Sequence, residues 1–64
     1  MSYKILKLPT VKELTALSRS TIYLRISRGE FPASISLGGR AVGWLEEDII
    51  RWRELRIEES RGAE

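Results

Sequence analysis

The chain has 64 residues, of which 42% are hydrophobic, and a net charge of +2. Its length and hydrophobic content predict a single domain, 1–64, near the lower size limit of a self-supporting core. It contains no cysteine and no histidine, which excludes disulfides and argues against zinc sites and serine-triad catalysis, and so small a body leaves little room for a closed pocket. We therefore expect that it is not an enzyme and uses no metal, cofactor or small-molecule substrate, and its short apolar runs and lack of a secretory signal predict a cytoplasmic protein without a membrane partner.

The first predicted elements are a strand and a short helix. Residues 4–8 have the apolar content of an edge strand or an extended arm, which Pro9 is expected to end. Thr10 and Glu13 have the spacing of a capping box. This spacing predicts a first helix over residues 11–16.

A second helix is predicted directly after a tight turn. Ser18 is a favourable N-cap, and the helix should continue to about residue 28, because Gly29 tolerates the left-handed conformation that follows a helix end. Ile22 and Ile26 are four residues apart and should face the core. Two short helices joined by a tight turn are the layout of a DNA-binding helix-turn-helix, whose second helix enters the major groove.

A hairpin and a third helix complete the predicted order. Residues 35–37 and 41–44 resemble strands, and the glycines at 38–39 between them indicate a hairpin. Acidic residues favour a helix start near residue 45, and this helix should reach about residue 60, with 61–64 a frayed tail. The order strand, helix, helix, strand, strand, helix predicts a small α+β fold, a winged helix-turn-helix.

Charge is unevenly distributed along the chain. Residues 1–45 carry seven basic and two acidic side chains, a net charge of +5, and residues 46–64 carry four basic and seven acidic side chains, a net charge of −3. A basic body with an acidic end fits a partner that is polyanionic at one face, such as DNA, although an ordinary solvated surface is also consistent with it.

Helical geometry divides the second helix into faces. Advancing 100° per residue places Ser20, Leu24 and Arg28 opposite the core-facing isoleucines, with the other candidates at the start of the helix or on its flanks. The candidate DNA-contacting residues of the helix and its cap are Ser18, Arg19, Ser20, Thr21, Tyr23, Leu24, Arg25 and Arg28.

These residue types suit different parts of a duplex. The short hydroxyl side chains of Ser20 and Thr21 allow close approach to base edges, and the arginines at 25 and 28 can reach phosphates or guanine. Arg19, beside the backbone N–H groups of the first turn, is a candidate phosphate clamp. Leu24 is either an ordinary exposed leucine, a contact for a thymine methyl group, or a contact for a partner protein. Tyr23 either supports the core or contacts DNA.

The hairpin tip carries a second candidate contact. Gly38 and Gly39 would allow a narrow turn that presents Arg40 to the minor groove or its flanking phosphates. Alternatively, Arg40 pairs with Glu46 or Glu47 and has a structural role.

Aromatic residues are expected in the core. Phe31, Trp44 and Trp52 are more typical of a core than of a site. Ile50 and Ile57 form a second apolar stripe on the third helix. Because the apolar residues of this helix span a wide arc, we expect its end to extend past the body of the domain and to contact another molecule.

Three segments carry a resemblance to a known family. The segments are LSRSTIY at 17–23, GEFP at 29–32 and LGGRAVGWL at 37–45. They resemble, in order and spacing, the AlpA family of prophage regulatory proteins, over roughly residues 8–57. The resemblance implies a MerR-like winged helix-turn-helix that binds specific double-stranded DNA sequences, with its recognition helix at 18–28 and its wing at 35–44. Family roles are activation of an integrase gene and, in close relatives, excision.

The chain departs from the family pattern at two positions. A glycine is usual where this chain has Ala16, so either an alanine takes up a positive φ, at a cost of about 1 kcal/mol, or the first helix is slightly extended. An arginine is usual where this chain has Leu24. The residue expected to read a base is thus replaced by an apolar one, and the resemblance does not carry over a target sequence.

Several functions remain compatible with the sequence. The leading interpretation is a transcriptional regulator of a prophage or genomic island that activates integrase expression. An excisionase would bend DNA at an attachment site and contact integrase or a neighbouring copy on tandem sites, with the third helix as its surface. A third possibility is a protein-interaction module that does not bind DNA, which the exposed leucine and the acidic third helix would suit.

Overall fold

The six predicted elements are present, in the predicted order, in a computed structural model that describes residues 4–62. The three strands form one antiparallel sheet in the order β1-β3-β2, which confirms the small α+β winged helix-turn-helix. Within 4–62, no helix is both long and apolar enough to cross a membrane. The elements are β1 Ile5–Leu6, α1 Leu8–Thr15, α2 Arg19–Ser27, β2 Ile35–Ser36, β3 Val42–Leu45 and α3 Glu46–Gly62.

The predicted start of α1 is wrong. The helix begins at Leu8, with the extended residue Lys7 as its N-cap and no side-chain cap. Pro9 lies in the first turn, where a missing N–H is tolerated, and the backbone N–H of Val11 donates to the Lys7 carbonyl at 3.1 Å. Proline therefore opens the helix instead of only ending the strand, and Thr10 lies inside it. The predicted edge position of β1 is confirmed.

The turn between α1 and α2 contains an alanine in the left-handed conformation. Ala16 is the C-cap of α1, with φ 59° and ψ 21°. Its backbone N–H donates to the Lys12 carbonyl at 2.8 Å, and the Thr15 hydroxyl donates to the Val11 carbonyl at 2.7 Å. Of the two alternatives from the sequence, the positive φ is therefore the one observed.

The end of α2 follows the predicted signal. Gly29 has φ +72° just beyond the C-cap. Its N–H donates to the Ile26 carbonyl at 3.1 Å, and the N–H of Glu30 donates to the Arg25 carbonyl at 2.8 Å. These two bonds form a Schellman motif, which ends the helix and redirects the chain.

The core contains the three predicted aromatic residues. Phe31 and Trp44 are buried, and the half-buried Trp52 packs on Phe31 with ring centroids 4.9 Å apart. The Trp44 indole N–H donates to the Pro32 carbonyl and that of Trp52 to the Glu30 carbonyl, both at 3.1 Å. The linker between α2 and β2, residues 28–34, is thereby fixed to the sheet and to α3. The buried hydrophobic residues are Leu6, Val11, Ile22, Phe31, Trp44 and Ile49.

Helix α3 is longer than predicted. It begins with three acidic residues in its first turn, which suit the positive end of the helix dipole, and it continues to Gly62. Of the predicted frayed tail, Arg61 and Gly62 are helical, and residues 63–64 lie outside the described residues. From Arg53 onward every described residue of α3 is exposed, so this half of the helix extends beyond the core.

We expect Ala16→Gly to stabilise the protein by about 1 kcal/mol, because glycine adopts the left-handed conformation without the steric cost of a Cβ. For a domain of this size, the melting temperature should rise by roughly 4–8 °C. Thermal unfolding followed by circular dichroism measures the change.

Ala33→Gly is the matched control. Ala33 is exposed and, unlike Ala16, has no positive φ. The added glycine should lower stability slightly, because it increases the entropy of the unfolded chain. A decrease for both variants would contradict the strain assigned to Ala16.

Candidate nucleic-acid interface

Three hydroxyl groups meet at the start of α2. The Ser18 Oγ accepts from the backbone N–H of Thr21 at 3.3 Å, which confirms the predicted cap, and it donates to the Thr21 Oγ1 at 2.9 Å. The Ser20 Oγ lies 3.3 Å from the Ser18 Oγ. Ser18 is thus engaged within the protein, Thr21 is half-buried, and Ser20 is exposed.

The outward face of α2 has the predicted composition. Ser20, Leu24 and Arg28 are exposed, whereas Ile22 is buried on the opposite side. Leu24 is 49% exposed and is not among the residues packed on the core. The Ser27 hydroxyl donates to the Leu24 carbonyl at 2.6 Å. Leu24 therefore lies between short polar side chains one turn before and one turn after it.

Tyr23 connects this face to the core. Its ring meets the Trp44 ring edge-on, with centroids 6.3 Å apart and an interplanar angle of 61°. The guanidinium of Arg19 lies 5.7 Å from the Tyr23 ring centroid, a distance typical of cation–π contacts. Tyr23 is 37% exposed. It supports the core, as one of the two alternatives proposed, and it also positions Arg19.

The wing presents Arg40 at its tip. Residues 37–41 form the loop between β2 and β3, and the Leu37 N–H donates to the Ala41 carbonyl at 2.8 Å. Gly38 and Gly39 have φ values of +101° and +57°, which only glycine adopts readily. Arg40 follows them and is exposed.

Arg40 forms no ion pair within residues 4–62. Glu46 lies 4.0 Å from the Lys4 ammonium, and Glu47 pairs with Arg51 at 3.2 Å. The structure therefore does not contain the ion pair that would have given Arg40 a structural role.

The arginines of the candidate interface share this property. In the part of the chain that the structure describes, none of them has an acidic partner, and every observed ion pair uses an acidic residue of α3. Surface cations without acidic partners attract a polyanion and can replace its counterions. These arginines are Arg19, Arg25, Arg28 and Arg40.

The sequence predicted where these side chains lie, but not how they are held. Trp44 was expected only as a core residue, yet it also supports Tyr23 and, through it, Arg19. The contact joins residues 21 positions apart, so no local spacing indicates it. The bond from the Ser27 hydroxyl to the Leu24 carbonyl was also missed, although serine within a helix commonly bonds to the preceding turn.

Sequence comparisons relate the chain to known proteins. The family model for Prophage CP4-57 regulatory protein (AlpA) matches residues 4–57. Uncharacterized protein ORF88 of Enterobacteria phage P4 is 48% identical over 54 residues, which are 84% of this chain but only 61% of that protein. The DNA-binding transcriptional activator AlpA of Escherichia coli (strain K12) is 36% identical over 59 residues, covering 83% of this chain and 84% of that protein.

We expect Arg40→Ala to lower affinity for duplex DNA and leave the melting temperature unchanged, because the side chain is exposed and has no ion pair in the described chain. Sequence preference should stay the same, since the wing lies outside the major-groove contact. Fluorescence anisotropy with labelled duplex measures affinity, and circular dichroism measures melting.

Arg51→Ala is the control, because it removes the same charge from α3 instead of the wing. It should leave affinity almost unchanged. If Arg40→Ala lowers the melting temperature and not the affinity, the DNA role assigned to Arg40 is wrong.

Proposed function

We propose that this chain, which belongs to the AlpA family of prophage regulatory proteins, is a sequence-specific transcriptional regulator that binds double-stranded DNA of a prophage or genomic island. The observation that carries the proposal is the exposed face of α2, which has short hydroxyls, one leucine and arginines without acidic partners within residues 4–62. Membership rests on the match over residues 4–57 and on the 36% identity to the activator of Escherichia coli.

In this proposal α2 enters the major groove. The exposed hydroxyl of Ser20 and the guanidinium of Arg28 read base edges, together with Thr21 at the flank. Leu24 lies between Ser20 and Arg28 along the helix, and an apolar side chain in that place can contact a thymine methyl group. Arg19 holds a phosphate beside the first turn, where backbone N–H groups also favour anions.

The wing and Arg25 add contacts that position the protein without reading sequence. Arg40 reaches the neighbouring minor groove or its phosphates, and Arg25, half-buried on the flank of α2, reaches the backbone. Since DNA is the proposed ligand, we expect the protein to act in the cytoplasm of a bacterial host.

The proposed consequence of binding is activation of an integrase gene. The named activity of the Escherichia coli relative, which the alignment covers over 84% of its length, favours activation. The alternative is an excisionase that bends DNA at an attachment site and contacts integrase or a neighbouring copy. The exposed second half of α3 favours such a contact. An integrase-promoter reporter and an excision assay in the same host distinguish the two functions.

Binding should depend steeply on salt concentration. Each phosphate contact contributes about 0.9 to the slope of log affinity against log salt concentration. If the four interface arginines each neutralise one phosphate, the slope should be about −3 to −4. A salt titration by fluorescence anisotropy measures it, and a flat slope, or no duplex binding at low salt, would contradict the DNA proposal in favour of a protein-interaction module.

Base and phosphate contacts should respond differently to substitution. Ser20→Ala should cost roughly 1–3 kcal/mol on the preferred sequence and relax the preference at one base pair, because it removes a direct readout. Arg19→Ala should weaken all sequences about equally. Selection of preferred duplexes from a random pool with each variant measures both effects.

Ser34→Ala is a matched control for Ser20→Ala, since Ser34 lies in the linker. It should change neither affinity nor preference. The assignment is wrong if Arg19→Ala alters the preferred sequence and Ser20→Ala does not.

A further inference from the structure

The outer face of the sheet has a glycine on its central strand. Antiparallel pairing places Ile35 opposite Gly43 and Ile5 opposite Leu45. Because side chains alternate along a strand, Gly43 and Leu45 lie on the face of β3 opposite the buried Trp44. The central strand therefore has no side chain at this point of its outer face.

Two apolar side chains occupy the space that Gly43 leaves. A Cβ added to Gly43 would overlap the Cγ2 of Ile5, and it would lie 3.3 Å from the Cδ1 of Leu37 and 3.1 Å from the Leu6 carbonyl oxygen. Gly43 is buried, although Ile5 and Leu37 are each 40% exposed. A glycine inside a strand commonly marks such a close approach. Here the glycine lets β1 and the start of the wing loop, residues 37–41, pack over the same point of β3.

Leu37 is placed to connect the wing loop to this face of the sheet. The Leu37 N–H donates to the Ala41 carbonyl at 2.8 Å, and the Ala41 N–H donates to the Gly38 carbonyl at 3.0 Å. These two bonds join residues of the loop to one another. Gly38 and Gly39 have no side chain, and Arg40 and Ala41 are exposed. The side chain of Leu37 is therefore the apolar anchor of the loop on the sheet.

We propose that Leu37, seated on Gly43, is a positioning residue for Arg40. The proposal rests on the proposed function, in which Arg40 contacts the minor groove or its phosphates. A loop that is already held to the sheet loses less conformational freedom when Arg40 binds DNA. In this arrangement Leu37 acts from the sheet and does not itself contact DNA.

The first test uses the full chain without DNA, so its outcome is independent of the proposed function. Leu37→Ala removes the side chain that lies on Gly43. The ¹⁵N heteronuclear NOE values of residues 38–41 should fall, because the loop then moves more on the picosecond to nanosecond timescale. Leu37→Met keeps an apolar side chain of similar volume and should retain NOE values near those of wild type.

The second test measures duplex affinity by fluorescence anisotropy. Leu37→Ala should weaken binding roughly two- to tenfold, because the loop must then be ordered when DNA binds. In an Arg40→Ala background the same substitution should have little effect, since the side chain that Leu37 positions is absent. Such non-additivity separates a residue that acts through Arg40 from one that only supports the fold. Leu37→Met should bind as wild type does.

Leu55→Ala is the matched control, because it removes the same side chain from a residue of α3 that is 49% exposed. It should change neither the NOE values of the loop nor the affinity. Circular dichroism verifies that each variant is folded. Leu37→Ala is a sharper test than Gly43→Ala, whose added Cβ would also crowd the Leu6 carbonyl on β1.

Three results would overturn the proposal. Unchanged NOE values in Leu37→Ala show that this side chain does not hold the loop. A more mobile loop with unchanged affinity, where Arg40→Ala does lower affinity, shows that loop order does not position Arg40. An equal loss of affinity in both backgrounds shows that Leu37 acts without Arg40.

Failure of the proposed function would give a different pattern. Wild type would then bind no duplex, or Arg40→Ala would bind as wild type does. The relaxation measurements on the free chain would still decide whether Leu37 holds the wing loop.

Discussion

The structure depends on the position of a single indole ring. Trp44 lies on the central strand of the sheet, is fully buried, and donates its N–H to the Pro32 carbonyl in the linker. Its ring makes a T-shaped contact with the Tyr23 ring on α2. One side chain therefore fixes the strand that continues from the wing, the segment that leads into the wing, and the helix proposed to read DNA. A chain of this length has no second core that could hold these parts independently.

This constraint explains how so small a domain can present a defined surface. Burial of one side of α2 leaves the other side outward, where hydroxyls, a leucine and arginines without ion-pair partners in the described residues lie. The acidic residues are concentrated on α3, and several of them are engaged there in ion pairs. The separation of charge along the sequence thus places the basic residues proposed to contact DNA and most of the acidic residues on different elements of the fold.

Local signals explain which parts of the fold could be predicted. Ser18 and Gly29 act within one turn of their own helix, and both were identified correctly because capping depends on neighbouring residues. The prediction that Thr10 caps α1 was wrong because proline is accepted in the first turn of a helix as readily as just before that turn. The local sequence therefore allows a helix start at residue 8 or at residue 11. The left-handed conformation of Ala16 was one of two alternatives. It was suggested by the family pattern, in which glycine is usual at this position, and not by the spacing of residues in this chain. The contact of Tyr23 with Trp44 depends on how the sheet lies against α2, and no short-range pattern encodes it.

Titration of the ¹⁵N-labelled chain with a preferred duplex, with each backbone amide followed by NMR, tests most directly whether α2 and the wing form the DNA-binding surface. Large shift changes should fall on residues 18–28 and on the wing loop 37–41, and residues 53–62 of α3 should change little when one copy is bound. Large changes on α3, with α2 and the wing loop unaffected, would show that the surface held in place by Trp44 is not the DNA-binding surface.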